Sequence, residues 1–291
     1  MHNLLQLSLT ALQIGAVYIL FSLGLTLIFG VLRIVNFAHG QFFTLSALIT
    51  SVAVPWLAAY GLPVWAAYTI ACLVGVTLTS VFGAIVYELG FKRVERDMIG
   101  SFILSVGLVL VIEGVLLKMF GGGVRPVPPL VEGNIDFLGV SMASQRLVLC
   151  VVAVGLTILF TRALGSTRFG KALRAVSIDH QAAMLQGIPY RRIAFLGFLA
   201  ATAVGAVAGS LIAPVSAVTP TLGDSYLVKG FIAVVIGGMG SVPGAILGSL
   251  FIAFVESFAG FYFDPSVANL AIFILVMAFL LVRPKGLLGY D

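Results

Sequence analysis

Charge is what this chain lacks. Of 291 residues, 16 are Lys or Arg and 11 are Asp or Glu, 9% in all, where an ordinary soluble domain carries about a quarter. So thin a supply cannot cover a water-facing surface. That excludes a soluble globular protein, a disordered chain and a nucleic-acid binder. Cysteine is nearly absent too. Cys72 and Cys150 stand alone in apolar stretches, without metal or redox spacing, and read as small buried hydrophobes. Histidine is limited to His2, His39 and His180, with no HExxH. No Lys or Arg precedes Arg33, so the first apolar run lacks the basic start of a secretory signal. It reads as a retained membrane span with its N-terminus outside.

What is present is hydrophobic: 60% of residues, with a mean hydropathy of +1.16. A span needs about 20 mostly apolar residues. Seven stretches reach or approach this: Leu4–Gly30, Ala38–Tyr60, Pro63–Gly90, Met98–Phe120, Gln145–Thr161, Ile193–Pro214 and Asn269–Val282. Between Pro214 and Asp264 a short run, Val228–Ile236, precedes the break GGMGS and a longer run, Ala245–Phe258. The expectation is an all-α, polytopic membrane protein of one domain, residues 1–291. It has eight or nine crossings with glycine-broken helices, and nine is preferred.

Lys and Arg mark the cytoplasmic side of a membrane protein. Nine crossings put Arg33, Lys92, Arg93, Arg96, Arg162, Arg168, Lys171, Arg174, Arg191, Arg192, Arg283 and Lys285 inside. Lys118, Arg125, Arg146 and Lys229 fall outside, and the C-terminus is cytoplasmic. The Gly- and Pro-rich loop 121–144 is placed outside, as a lid or docking surface or as a connector.

Enzyme-like strings fail on inspection. GSTRFGKA (165–172) matches GxxxxGK, but Ala172 supplies no hydroxyl for magnesium and a membrane span precedes it. GGMGSVPG lacks the dinucleotide spacing and context. No catalytic set stands out, and no metal or cofactor is expected on this chain.

Three segments carry more. RIVNFAHGQFFTLSAL (33–48) sets Arg, Asn, His, Gly and Gln between two apolar spans. Polar groups at membrane depth face a cavity or another helix, and broken backbone is tolerated only where something satisfies it. One reading puts Asn36, His39 and Gln41 at the cytoplasmic mouth or gate of a pathway; the other is an interfacial turn with a satisfied histidine. VIGGMGSVPGAILGSL (235–250) repeats that grammar, with Gly240, Gly244 and Gly248 spaced for close helix approach. In the basic loop 162–192, Ser177 caps a helix start, Asp179 favours its first turn, and Gly187 with Pro189 stops it. Ile178, Ala182 and Leu185 make one apolar stripe. So short a helix is unstable alone in water and must pack on the membrane surface, its own bundle or a partner.

QAAMLQG (181–187) resembles the EAA-x-x-x-G loop of ABC importer permeases, with Gln181 in place of the usual Glu. Together with GLTLIFGVLRIVNFAHGQ, GGMGSVPGA and the ending RPKGLLG, the whole chain resembles LivH-type permeases of the bacterial branched-chain (hydrophobic) amino acid ABC importer family. The resemblance implies an inner-membrane machine. A second permease subunit shares the pathway, two cytoplasmic ATPases hold the ATP and magnesium, and a periplasmic binding protein delivers an amino acid. On it Ser177, Ile178, Asp179, Gln181, Ala182, Ala183, Met184, Leu185 and Gly187 form the coupling helix. Asn36, His39, Gly40 and Gln41 form one glycine break of the pathway or gate, and Gly237, Gly238, Gly240 and Ser241 the other. Urea or short amides are an alternative cargo. A stand-alone carrier would need a mid-membrane carboxylate, for which only Glu113 or Glu256 is available. Glu88 is expected near Lys92.

Overall fold

The computed structural model describes residues 2–95, 97–137, 140–263, 265–283 and 286–289. Arg96 and Lys285, both counted with the inner charges, lie outside the described residues. The fold is all-α and membrane-embedded. Its helices are α1 (His2–Leu32), α2 (His39–Ala59), α3 (Val64–Leu89), α4 (Met98–Phe120), α5 (Ser144–Ser166), α6 (Arg168–Ile178), α7 (His180–Leu185), α8 (Tyr190–Ile212), α9 (Leu222–Gly237), α10 (Val242–Tyr262) and α11 (Pro265–Val282). Among the described residues, seven of these are long and apolar enough to cross a membrane, and α11 contributes the shorter apolar stretch Asn269–Val282.

The helix boundaries follow local chemistry. Asp97 caps α4 by accepting the Gly100 N–H at 2.9 Å. Ser241 caps α10 by accepting that of Gly244 at 3.2 Å, with Pro243 in the first turn, where its missing N–H costs nothing. Arg33 ends α1 in a left-handed conformation, φ 52°, while its N–H still reaches the Phe29 carbonyl at 2.9 Å.

α1 is the central column. It is apolar all round and largely buried, as a helix enclosed by others must be, and it packs against α10, α8, α9 and α5. Beside it, α2, α3 and α8 are tied by hydroxyls at Ser210. Ser46 Oγ lies 2.8 Å and Thr50 Oγ1 2.9 Å from its Oγ, and Tyr68 donates to its carbonyl at 2.6 Å. By contrast α3, α4 and α5 keep much of their apolar surface exposed.

The two ends of the bundle are distinct. At one, Arg125 pairs with Val218, joining the 121–143 loop to the α8–α9 connection. That loop holds a feature the sequence did not announce, an antiparallel ribbon of β1 (Asn134–Phe137) and β2 (Val140–Ala143). The Gln145 Oε1 steadies the loop by accepting the Leu130 N–H at 2.7 Å. At the other end lie Arg33, α6, α7 and residues 286–289. There the N–H groups of Leu287 and Leu288 bond the carbonyls of Ile236 and Gly237 at 2.7 and 2.9 Å, completing the last turn of α9. At 16 residues, α9 starts inside the bundle, with Gly223 against Gly40 of α2, and finishes at this end. The helices agree with a polytopic bundle of about eight or nine crossings.

Candidate functional site

Two neighbouring constructions at the Arg33 end make up the site. The first is the basic loop. Thr167 caps α6 by accepting the Gly170 N–H at 3.1 Å, and Leu173, Val176 and Ala183 are buried in the cluster formed by α1, α3 and α8. Here the expected cap is corrected. Ser177 and Ile178 belong to the last turn of α6, and Asp179 caps α7, accepting the Gln181 and Ala182 N–H groups at 2.9 and 3.1 Å. Asp179 Oδ is better placed because its backbone is extended while Ser177 is still helical. Those two N–H groups, helped by the charges of His180 and Arg33, hold its carboxyl below the usual carboxylate range. The helix is six residues, shorter than the Ser177–Gly187 span, and Gly187 turns the chain at φ 80°. Gln181, Ala182, Met184 and Leu185 all face outward. Ile178 is 77% and Leu185 87% exposed. Apolar side chains are thus presented outward from a rigidly mounted base.

The second construction is the pair of glycine breaks, which the fold brings together around the end of α1. A Cβ on Gly30 would come within 3.6 Å of Gly240 and 3.8 Å of the Ser177 hydroxyl, so the second break and the basic loop meet at the end of α1, and a cleft lined by Asn36 and Met239 sets the first break beside the second. After Arg33 the chain turns back along α1 in non-helical form, and α2 begins at depth. His39 packs against Gly24, eight residues before the end of α1, or about 12 Å up the helix. The His39 ring is fully buried, edge-on to Phe21 at 4.9 Å. It fills slots left by Gly24 and Gly205, where any Cβ would stand within 2.6–2.7 Å of it. Asn36 is buried with neither amide atom hydrogen-bonded, and it lines an apolar cleft with Phe29, Phe37, Phe231 and Met239. Gly40 lies against Gly223, whose N–H donates to Thr44 Oγ1 at 2.8 Å. Gln41 donates to Asp224 at 3.1 Å and keeps its own carbonyl oxygen unpaired. The starts of α2 and α9 therefore meet inside the bundle and run apart in opposite directions.

At the second break, Gly237 and Gly244 touch, and Gly248 meets the Ala233 carbonyl. The regular glycine stripe is corrected at Gly240, which forms the turn at φ 87°. Ser241 is the α10 cap. The charge count also needs correction, because Lys229 lies within α9 rather than in an outer loop and pairs with Glu256 of α10. Lys92 and Glu88 form the expected pair at 2.5 Å. Sequence reasoning missed Asp224, whose only signal was a carboxylate at the start of an apolar helix. Among the described residues no cluster of His, Cys, Asp and Glu fits a metal.

The profile of the branched-chain amino acid transport system / permease component family matches residues 7–282. The chain is 28% identical to the high-affinity branched-chain amino acid transport system permease protein BraD of Pseudomonas aeruginosa, over 99% of this chain and 96% of that one. It is 26% identical to the corresponding LivH protein of Escherichia coli, over 98% and 95%. It is 25% identical to the ribose import permease protein RbsC of Haemophilus influenzae, over 67% and 61%. Among solved structures, an inward-facing metal-chelate type ABC transporter shares the fold with a TM-score of 0.51 and 16% identity, over 95% of this chain and 85% of that one.

Proposed function

Since the chain belongs to the family of permease components of branched-chain amino acid transport systems, we propose that it forms one half of the membrane path of an ATP-driven importer for branched-chain or similar hydrophobic amino acids. A second permease subunit completes the path, two ATP-binding subunits dock from the cytoplasm, and a periplasmic protein delivers the amino acid. ATP hydrolysis belongs to those partners. The clustering of basic residues at the Arg33 end supports placing that end in the cytoplasm, with the N-terminus opposite.

The observation that carries this reading is the junction of Ser177, Gly30 and Gly240 beneath an outward-facing apolar α7. Force applied at Met184 and Leu185 reaches α6, which is buried against α1 and α8, and so arrives where both breaks lie. Asn36, His39, Gly40 and Gln41 on one side, and Gly237, Gly238, Gly240 and Ser241 on the other, are the moving parts. Small residues let backbones slide past each other there. Asn36 offers its unpaired amide to whatever passes through or docks beside it.

The test is Leu185→Asp in the complete transporter. The expected result is assembly unchanged but ATP-driven leucine uptake reduced at least tenfold, with ATPase stimulation lost. Wild-type uptake would remove α7 from the coupling role. Reconstituted by itself, the chain should pass no leucine; unaided passage would make it a carrier instead.

A further inference from the structure

Membrane-embedded charges are expensive, and where they persist they face cavities and partners rather than lipid. Lys229, two turns into α9, and Glu256, six residues before the end of α10, form such a pair. Tyr18 of α1 donates to the same carboxylate at 2.6 Å. The pair is not sealed in. Both side chains retain about a fifth of their surface, 19% and 21%, and they border a cavity of about 440 Å³ shared with Ser216, Ser225 and Tyr226. That volume lies within the range that holds small molecules. A second cavity shares Ile14, Ser216 and Tyr226 with the first and extends to Arg146, which also borders the hollow lined by Pro129, Val131 and Gln145. A trench therefore runs from the end of the bundle opposite α7 down to the charged pair.

We propose that this cavity is a binding station for the zwitterionic backbone of the transported amino acid, with Lys229 meeting its carboxylate and Glu256 its ammonium. The electrostatics favour that class of ligand. A buried ion pair opened by a zwitterion exchanges one internal contact for two external ones, and no charge is left alone. A solute with a single charge would strand either Lys229 or Glu256 in a low-dielectric site, which costs far more. The apolar walls, Ile14 and the Tyr226 ring, suit an aliphatic side chain. Since the pair already satisfies itself when empty, the station binds weakly and releases readily, as a transport step requires.

This inference rests on the amino acid reading above, and its test separates the two. Saturation-transfer NMR on the assembled transporter in nanodiscs, without the binding protein, should show leucine in contact with the protein. Signals from 4-methylpentanoate, which lacks the ammonium, and 3-methylbutylamine, which lacks the carboxylate, should be at least fivefold weaker. The paired variant Lys229→Met with Glu256→Gln removes both charges without stranding either, and should cut the leucine signal at least fivefold. An undiminished signal in that variant overturns the station. If the variant fails to assemble, Ser225→Cys in a chain carrying Cys72→Ala and Cys150→Ala serves instead. Leucine should slow its modification by a maleimide at least threefold, and no protection overturns the station. Should the complete transporter take up no amino acid at all, the functional reading itself falls. Should uptake persist while Ser225→Cys goes unprotected, only the station does.

Discussion

Gly237 and Gly244 face each other so closely that a Cβ on either would stand 2.1 or 2.2 Å from the other's carbonyl oxygen. Backbone cannot yield as a flexible side chain can. Gly237→Ala should therefore cost at least the 1–3 kcal/mol typical of overpacking, at roughly that order, and lower the melting temperature of the purified protein. Gly114→Ala on α4 is the control: nothing lies within 4 Å of that position, so the substitution should be neutral or slightly stabilising, by up to about 1 kcal/mol. His39 gives a different residue-scale expectation. It serves as a wedge between α1 and α8, so His39→Ala should impair uptake by loosening the start of α2. His39→Phe, being bulkier, should not restore it. Uptake equal to wild type in His39→Ala would return this region to a plain turn.

Among the elements, α7 shows best how local chemistry and function meet. Its cap depends on an ionised Asp179, whose carboxyl is held below its ordinary range by the Ala182 and Gln181 N–H groups. A depressed native pKa means that the cap's contribution is complete above the unfolded value and fades as pH falls through the native one. Protection of the Gln181 and Ala182 amides from hydrogen exchange, taken relative to the intrinsic rate at each pH, should accordingly fall on acidification through that range. Asp179→Asn, itself a good cap, should abolish that pH dependence while keeping the helix. A short helix between Ser177 and Gly187 was legible from spacing, but neither its cap nor the grouping of Ile178 with Ala182 and Leu185 was, because Ile178 ends α6. Ser177 and Asp179 are equally good capping residues on paper, and only the continuation of α6 through Ile178 decides between them. Likewise the apolar run of α9 was visible, while its first turn was hidden because Gly223, Asp224 and Ser225 look like loop. Their helical state comes from packing on Gly40 and Thr44, a contact between segments nearly two hundred residues apart.

For the whole molecule, the distribution of charge and apolar length made the crossings legible, since lipid imposes those requirements on every segment separately. What could not be read were pairings across the bundle: the cleft shared by the two breaks at Asn36 and Met239, the Ser210 hydroxyl cluster, and the Lys229–Glu256 pair that removed one charge from the outer count. Sidedness is open to direct measurement. In a chain carrying Cys72→Ala and Cys150→Ala, Leu185→Cys should react with a membrane-impermeant maleimide only from the cytoplasmic face, and Arg146→Cys only from the opposite face. Reversed labelling would invert the orientation and with it the site of ATPase docking.

Leu287 and Leu288 bond the carbonyls at the end of α9, yet they are translated some fifty residues after Gly237. During synthesis, α9 must enter the bilayer with that terminus unfastened and wait for α10 and α11 to follow. The clasp shuts only when the RPKGLLG segment leaves the ribosome. A polypeptide released before Leu287 would hold all its spans yet leave the Ile236 and Gly237 carbonyls without those two donors.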